Sequence, residues 1–407
     1  AGQAGLASLT NNLRTKGATV AGKPLDATRL AAQAEALGST LESAADWRGT
    51  ALTMTVASSK LDAAATLIAD ATLQPTLADA ELQRLREQII DGLKLSQSDP
   101  MALAGLSARR GYWGASVFGG STTPASLGRI TRQEVMAFHK LQLRPELATL
   151  VVAGDVTLDR AKALAERLLG SWKGNRMALP QPRQEPASPA TPANVMIDLA
   201  GAGQAGVVVM APSVASTAPE RRVAQVAGAI LGGGYSARLN QEVRIKRGLS
   251  YGASAGHDFQ PVGSVLSAQT QTNNATAGQV VELLRGEIVR MGQGLAAPEE
   301  LAARQATLVG NYGRQIETTA GLAGLAIDLI GRERPLSDAQ RYAPDVMAVS
   351  AEQVRDYAAK HWTAPALRSL VVGDLGAAGD SLKAAMPGAL VLKSDQLDLE
   401  APGLKKP

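Results

Sequence analysis

The spacing of apolar residues in the first part of the chain predicts a mixture of helices and strands. Leu6, Leu9 and Leu13 recur at helical spacing, and Gly17 follows them as a stop signal. Residues 50–57 are rich in β-forming side chains and alternate in part between apolar and polar, which predicts a strand. The other predicted elements are helices over residues 61–71, 80–95 and 130–140, and a buried strand over residues 148–153.

The second part of the chain repeats this mixture. The apolar run within residues 195–214 predicts strand structure, and residues 249–257 and 263–270 predict a hairpin. Thr217 and Glu220 have capping-box spacing ahead of a helix that runs to residue 231. Further helices are predicted over residues 236–244 and 278–291. This order predicts an α+β fold of two homologous halves, each a mainly antiparallel sheet covered by helices on one face.

A proline-rich stretch separates two copies of one pattern. Residues 173–195 hold five prolines among Gln, Ala and Ser, which is typical of a semi-extended linker. The segment ITRQEVMAFHKLQLRPELATLVVAGD begins at residue 130, and VSAEQVRDYAAKHWTAPALRSLVVGD begins 219 residues further along. One offset held over separate blocks indicates a duplicated unit. We therefore predict an N-terminal half over 1–174, a linker over 175–193 and a C-terminal half over 194–407.

The duplication also leaves a gap at the front of the first half. Under the same offset, Ala1 corresponds to Glu220, so the strands within residues 195–214 have no first-half counterpart. We expect the intact gene product to extend beyond Ala1 by at least a strand pair.

Composition narrows the class of function. The chain is 45% apolar and 19% charged, as globular proteins are, and no apolar run approaches the roughly eighteen residues of a membrane span. A net charge of +4 with three Phe and four Trp argues against nucleic-acid binding. Zero cysteines exclude disulfides and thiolate zinc sites. His139, His257 and His361 are more than a hundred residues apart, so none has the spacing of a helical metal motif.

Residues 231–251, LGGGYSARLNQEVRIKRGLSY, are the most informative stretch. Three glycines behind a helix are typical of a left-handed helix stop with close backbone approach. The alternative is a phosphate-binding loop, which would need a Gly-Lys-Ser/Thr ending and would precede a helix. By itself, Tyr251 would be an ordinary strand aromatic. A solvated helix end accounts for the basic residues on their own, which are Arg238, Arg244, Lys246 and Arg247.

Taken together, these residues resemble the second-half signature of the pitrilysin/insulinase family of inverted-motif zinc metallopeptidases, in its processing-peptidase-like branch. The resemblance extends over nearly the whole chain, including the duplicated halves and the linker, and it implies a processing-peptidase-like α/β sandwich. Family members carry an Arg and a Tyr seven residues apart, and Arg244 and Tyr251 fit that spacing. The resemblance implies that this pair contacts a substrate held at a zinc site in the opposite half. Gly248 and Gly252 are expected to permit close backbone approach beside Tyr251.

The zinc-binding half of the family motif is missing. The family carries His-x-x-Glu-His on a first-half helix, and the matching residues 5–17, GLASLTNNLRTKG, place Ser8, Asn11 and Asn12 at those three positions. They are expected on the helix face opposite the leucines. The later acidic ligand would fall near Asp91. Because Ser and Asn lack the imidazole nitrogens that zinc prefers, no metal and no cofactor is expected in this chain.

The resemblance therefore implies a non-zinc-binding, substrate-holding subunit of a heterodimeric zinc metalloendopeptidase, inactive alone. Arg244 and Tyr251 would act in trans on a peptide or unfolded protein, at the zinc of a homologous partner subunit. The alternatives are a non-proteolytic scaffold subunit and a peptide-binding homodimer. Retention of both Arg244 and Tyr251 favours the catalytic partner. The resemblance favours the bacterial periplasm as the compartment, and the cytoplasm stays open.

Overall fold

The structure is a computed structural model that describes residues 3–20, 22–174 and 185–406. The helices are α1 (Leu6–Arg14), α2 (Ala27–Ala36), α3 (Leu61–Leu73), α4 (Asp79–Ser98), α5 (Pro100–Trp113), α6 (Pro124–Arg129), α7 (Arg132–Gln142), α8 (Leu158–Leu169), α9 (Arg221–Gly232), α10 (Arg238–Asn240), α11 (Ala277–Arg290), α12 (Pro298–Ile316), α13 (Thr319–Gly331), α14 (Asp338–Met347), α15 (Ala351–His361) and α16 (Leu375–Ala385). The strands are β1 (Gly17–Val20), β2 (Lys23–Asp26), β3 (Glu42–Ala45), β4 (Thr50–Thr53), β5 (Asn194–Asp198), β6 (Ala205–Ser213), β7 (Ala253–Gln260), β8 (Gly263–Thr272), β9 (Arg368–Gly373) and β10 (Leu390–Lys393). In the part of the chain that the structure describes, each helix is too short or too polar to cross a membrane.

The chain forms two compact units that interleave along the sequence. Unit 1 holds residues 1–93, 122–181 and 315–336, and unit 2 holds residues 94–121, 182–314 and 337–407. Helix α5 therefore belongs to unit 2 and helix α13 to unit 1. The sequence halves 1–174 and 194–407 are a different division of the chain and stay a prediction, as does the linker between them. Residues 175–184 of that linker lie outside the described residues.

The offset of 219 residues also relates the secondary structure. Helices α4 and α12 begin at Asp79 and Pro298, and α7 and α15 begin at Arg132 and Ala351. Short 3-10 turns at Pro145–Leu147 and Ala364–Ala366 follow the same offset. The offset that predicts a duplication in the sequence therefore also relates the starts of these helices and turns.

Unit 1 is built from helices and two antiparallel hairpins, β1–β2 and β3–β4. Leu6, Leu9 and Leu13 of α1 are buried in one cluster with Leu82 of α4 and Val135 of α7. This confirms the helical face that the leucine spacing predicted. The predicted strand at residues 50–57 is shorter, because pairing with β3 ends at Thr53.

The buried strand predicted at residues 148–153 is wrong. These residues form no strand among the described residues, and the first three are exposed. Their counterpart, β9, lies between β5 and β6 in unit 2 and bonds to both. No described strand pairs with residues 148–153, so their apolar sequence has no ladder of backbone hydrogen bonds.

Unit 2 contains a six-stranded sheet in the order β10-β5-β9-β6-β8-β7. The three pairs from β9 to β7 are antiparallel, and the β10–β5 and β5–β9 pairs are parallel. The predicted hairpin is confirmed as β7–β8, although β7 begins only at Ala253. The predicted α+β class with a mainly antiparallel sheet is confirmed.

The sheet is covered on both faces, which corrects the expectation of helices on one face. Along β6, Val207 and Val209 belong to the cluster with α9, α11 and α15, while Val208 and Met210 belong to the cluster with α5. Successive residues of a strand point to opposite faces, so an uninterrupted run such as VVVM requires an apolar layer on each side. Helix α5 supplies the second layer.

The start of α9 also differs from its prediction. The helix begins at Arg221, with Glu220 at the N-cap and no side-chain cap. The capping box expected from Thr217 and Glu220 is therefore wrong. Because Glu220 precedes the first turn and extends toward Lys360 and His361, it is not available to cap a backbone amide.

Candidate functional site

Arg244 lies on an unusual turn. Helix α10 continues into a π-helical turn, Gln241–Ile245, where the sequence predicted one helix over residues 236–244. Leu239 and Val243 are fully buried and anchor the turn, while Arg244 faces solvent. Single π turns are often found at functional sites.

Arg244 is the one cation of its basic cluster without an acidic partner among the described residues. Arg238 makes a two-point ion pair with Glu300, with distances of 2.9 and 2.7 Å, and these hydrogen bonds raise the pKa of Arg238. Lys246 and Arg247 both bind Glu242 and lower the pKa of that carboxyl group. The guanidinium of Arg244 instead lies over the ring of Tyr235, with Cζ 5.0 Å from the ring centroid.

Tyr251 is the most exposed large side chain of this region, with 91% of its surface open to solvent. It lies in the loop before β7 rather than on the predicted strand. Nothing in the described chain accepts or donates a hydrogen bond at its hydroxyl. The Tyr251 side chain is therefore presented outward, free to contact another molecule.

The loop that carries Tyr251 is nevertheless held firmly. The amide of Gly252 donates to Oγ of Ser250 at 2.9 Å, and Thr270 of β8 donates to the Gly252 carbonyl at 2.8 Å. Two residues further along β8, Thr272 donates to the Leu249 carbonyl at 2.6 Å. These bonds fix the backbone on both sides of Tyr251.

The glycines near the site have roles other than those predicted. Gly248 has φ +63° with open space around it, so the backbone conformation requires it and no close approach does. Gly252 has no neighbour closer than 3.7 Å to a built Cβ. At Gly232, a Cβ would lie 2.1 Å from the amide nitrogen of Ala255, so α9 packs closely on β7 there. The left-handed stop predicted after α9 is wrong, because Gly233 has φ −82°.

Two residues that the sequence did not single out, Tyr235 and Asn240, organise this site. Nδ2 of Asn240 donates to the Tyr235 carbonyl at 2.6 Å, and its Oδ1 accepts from the Ala253 amide at 3.2 Å. One side-chain amide thus joins the loop before α10 to the strand that follows Tyr251. Both residues lie within the 231–251 motif, and that position is the sequence signal that could have identified them.

Helix α12 also supports the loop before α10. Arg304 is buried and donates from Nη2 to Oγ of Ser236 at 2.6 Å. Four residues earlier on α12, Glu300 holds Arg238. Arg304 and Glu300, which share one face of α12, therefore hold the loop before α10 and α10 itself.

The degenerate motif helix α1 uses its polar residues for packing. Asn11 is buried and donates to the carbonyls of Ala44 and Ala51 at 2.7 and 3.2 Å, which attaches α1 to the β3–β4 hairpin. Asn12 accepts from Oγ of Ser43 at 2.8 Å, and Ser8 is exposed. Of the three motif positions, Asn11 is therefore covered by the hairpin.

A buried arginine lies next to these positions. Arg14 donates from Nη1 to Oδ1 of Asn11 and from Nη2 to Oγ1 of Thr72, both at 2.8 Å. Burial lowers its pKa to about 10, so it is still a cation at neutral pH. Nε2 of His139 lies 3.0 Å from the Thr72 carbonyl, and burial lowers the pKa of His139. A second cation would meet electrostatic repulsion at this place.

The described residues contain no group of side chains that could hold a zinc ion. Within residues 3–20, 22–174 and 185–406, no three His, Asp or Glu side chains are grouped to hold a metal ion. Asp91, near which the later acidic ligand was expected, is exposed on α4. The three positions of the zinc motif carry Ser8, Asn11 and Asn12, whose contacts are given above.

Comparison with known proteins finds similarity to M16 peptidases. Residues 129–308 match the family model described as peptidase M16 inactive domain. An uncharacterized zinc protease of Mycobacterium leprae is 28% identical over 212 residues, which are 50% of this chain and 46% of that protein. The non-peptidase homolog YmxG of Helicobacter pylori is 21% identical over 312 residues, 74% of this chain and 69% of that protein. The first of these alignments spans about half the length of the relative.

Solved structures share the fold. A peptidase M16 inactive domain from Pseudomonas fluorescens superimposes with a TM-score of 0.77 at 22% identity, covering 91% of this chain and 89% of that one. The periplasmic protease PqqL from Escherichia coli gives 0.74 at 18% identity, covering 91% of this chain and 41% of that one. The chain is therefore similar to M16 peptidase proteins over residues 129–308, and it shares the fold of solved M16 structures.

Proposed function

We propose that this chain is the substrate-holding, zinc-free subunit of a heterodimeric zinc metalloendopeptidase. In this proposal Arg244 and Tyr251 reach the zinc site of a homologous partner subunit in trans. The observation that carries the proposal is the outward presentation of both side chains from a fixed backbone, in a chain whose zinc-motif positions hold Ser and Asn.

Tyr251 would act on the transition state. Hydrolysis of a peptide bond at a metal site develops negative charge on the scissile carbonyl oxygen, and a hydroxyl donor placed near that oxygen stabilises it. The Tyr251 hydroxyl is open to solvent, and its loop is already bonded to β8. Such a donor would need little reorganisation at the moment of reaction.

Arg244 would act mainly on binding. A guanidinium offers a fixed fork of donors that suits peptide carbonyls and carboxylates. Glu242 pairs with Lys246 and Arg247 and not with Arg244, so Arg244 retains its donors for another molecule. It would contact the peptide in the ground state as well as in the transition state, so its loss should appear chiefly in KM.

The proposed substrate is an extended peptide or an unfolded segment, held in a chamber that the two chains would enclose. An extended peptide or unfolded segment satisfies its backbone groups against a sheet edge, which we place on the active subunit. We further propose the periplasm as the compartment, since the solved PqqL structure is described as a periplasmic protease.

A second candidate, a non-proteolytic subunit of the same fold, is supported by one observation. YmxG, which is named a non-peptidase homolog, aligns over 74% of this chain, against 50% for the mycobacterial zinc protease. A scaffold would have no use for Arg244 and Tyr251 as substrate contacts, so the two candidates differ in what those side chains do.

The test is reconstitution with the zinc-bearing M16 protein of the same organism. We expect neither chain alone to cleave an unstructured peptide efficiently and the mixture to do so. Arg244→Ala should raise KM about ten- to a hundredfold, as expected for the loss of charge-assisted hydrogen bonds of about 1.5–3 kcal/mol. Lys246→Ala, which removes a neighbouring cation already paired with Glu242, is the matched control and should change KM little.

Complex mass and thermal stability are measured on the same samples. Assembly without any gain in cleavage over the zinc-bearing chain would support the scaffold. Equal effects of Arg244→Ala and Lys246→Ala on KM would show that general surface charge, rather than Arg244, serves the substrate.

A further inference from the structure

A cation–π contact joins Arg244 to a residue outside the proposed pair. Cζ of Arg244 lies 5.0 Å from the centroid of the Tyr235 ring, within the range in which a guanidinium is attracted to an aromatic face. The Tyr235 side chain is 63% exposed, so burial does not fix this geometry. Among the described residues the Arg244 guanidinium has no hydrogen bond or ion pair that could orient it instead.

The loop that carries Tyr235 is far better anchored than its exposed ring suggests. Asn240 binds the Tyr235 carbonyl at 2.6 Å, and Arg304 binds the hydroxyl of Ser236 at 2.6 Å. A flexible arginine that lies on the aromatic ring of a residue with an anchored backbone loses part of its rotamer freedom before any substrate arrives. Preorganisation of this kind improves binding by lowering the entropy lost on association.

We infer that Tyr235 is a positioning residue that holds Arg244 in its substrate-binding orientation. The inference rests on the proposed function, because it assigns Arg244 a substrate contact. It adds a residue that acts through Arg244, whereas the proposed function uses Arg244 and Tyr251 alone. The side chain of Asn240 bonds to the backbone of Tyr235 and to the backbone of Ala253, the first residue of the strand after Tyr251. The segments that carry Tyr235 and Tyr251 are therefore held by the same side chain.

The experiment compares Tyr235→Leu, Tyr235→Phe and Arg244→Ala in the reconstituted complex. An exposed cation–π contact is worth about 0.5–1 kcal/mol, so Tyr235→Leu should raise KM about two- to fivefold with kcat little changed. Tyr235→Phe keeps the aromatic face and should stay near the wild-type KM. In the Arg244→Ala background, Tyr235→Leu should add no further loss, because Tyr235 acts through Arg244. Losses that add, or a wild-type KM for Tyr235→Leu beside an impaired Arg244→Ala, overturn the inference.

A second measurement judges the positioning independently of cleavage. The Nε–H proton of Arg244, observed by nuclear magnetic resonance in the intact chain, should show an upfield ring-current shift. That shift should vanish in Tyr235→Leu and persist in Tyr235→Phe. If Arg244→Ala cleaves normally, the proposed function fails, and the ring-current shift still decides whether Tyr235 positions Arg244. An Nε–H resonance that Tyr235→Leu does not move contradicts the positioning.

Discussion

Oδ1 of Asn11 accepts a hydrogen bond from Nη1 of Arg14 at 2.8 Å, at the helix position where the family motif has its glutamate. The same asparagine donates to two carbonyls of the β3–β4 hairpin. Helix α1 thus has hydrogen bonds and a buried cation at or next to the positions that the sequence resemblance aligns with the zinc motif. At Asn11, these contacts serve the packing of α1 on the β3–β4 hairpin.

The first prediction concerns metal content. Because Arg14 places a positive charge beside the motif positions, we expect the isolated chain to retain no stoichiometric zinc after dialysis against trace zinc. Elemental analysis of the dialysed protein measures this, with a zinc-bearing M16 subunit treated in parallel as the positive control. One tightly held zinc per chain would contradict it.

The second prediction concerns Arg14 as a structural residue. Arg14→Met keeps much of the apolar stem and leaves Asn11 and Thr72 without their charged donor. We expect a loss of about 1–3 kcal/mol in the free energy of unfolding, measured by urea denaturation. Arg29→Met, which alters an exposed arginine of α2, should stay within about 0.5 kcal/mol of the wild type. Equal stability of Arg14→Met and the wild type would show that the buried cation is dispensable.

The third prediction concerns the close packing of α9 on β7. Gly232→Ala would place a methyl group 2.1 Å from the Ala255 amide nitrogen, so the helix must move. We expect destabilisation of about 1–3 kcal/mol. Gly286→Ala is the matched control, since Gly286 lies on α11 with open space around it and should gain up to about 1 kcal/mol of helix propensity. Thermal unfolding of both variants decides the matter, and a Gly232→Ala variant as stable as Gly286→Ala would disprove the packing.

The fourth prediction concerns acid sensitivity. His257 packs on Phe259 with ring centroids 4.9 Å apart, its Nδ1 lies 3.0 Å from Oγ of Ser213, and burial lowers its pKa from 6.5 to about 4. Below pH 6.5 the His257 imidazole becomes protonated in the unfolded state, whereas in the folded state it stays neutral until the pH approaches 4. Stability is therefore fully present above pH 6.5 and falls between pH 6.5 and 4, by at most about 3 kcal/mol from this group.

Urea denaturation at pH 7, 5.5 and 4.5 tests that dependence against His257→Gln. The variant removes the titrating ring, so its stability should fall less steeply over the same interval. A variant that loses as much stability as the wild type between pH 7 and 4.5 would assign the acid sensitivity to other groups.

Local sequence patterns were enough to place some elements, such as α1, α11 and the β7–β8 hairpin. The leucine spacing of α1 and the apolar run of β6 report burial directly, because each depends on neighbours one turn or two residues away. Residues 148–153 have an equally apolar sequence and form no strand, because a strand also needs a partner that local sequence does not reveal.

The candidate site, too, could be predicted from the sequence only in part. The spacing of Arg244 and Tyr251 was visible in the sequence, whereas the contact of Tyr235 with Arg244 and the two bonds of Asn240 exist only in three dimensions. The burial of Asn11 depends on carbonyls 33 and 40 residues away. Contacts of this kind cannot be predicted from residue spacing.

The most direct test of the proposed function is the turnover of a complex reconstituted with Tyr251→Phe. The change removes one exposed hydroxyl and leaves the ring and its loop, so assembly and melting temperature should match the wild type. Loss of an oxyanion donor should cost about 2–4 kcal/mol of transition-state stabilisation, or roughly thirty- to a thousandfold in kcat. Tyr342→Phe, which removes a hydroxyl bonded to Gln225, is the control and should keep its turnover. Normal turnover in a fully assembled Tyr251→Phe complex would contradict the account.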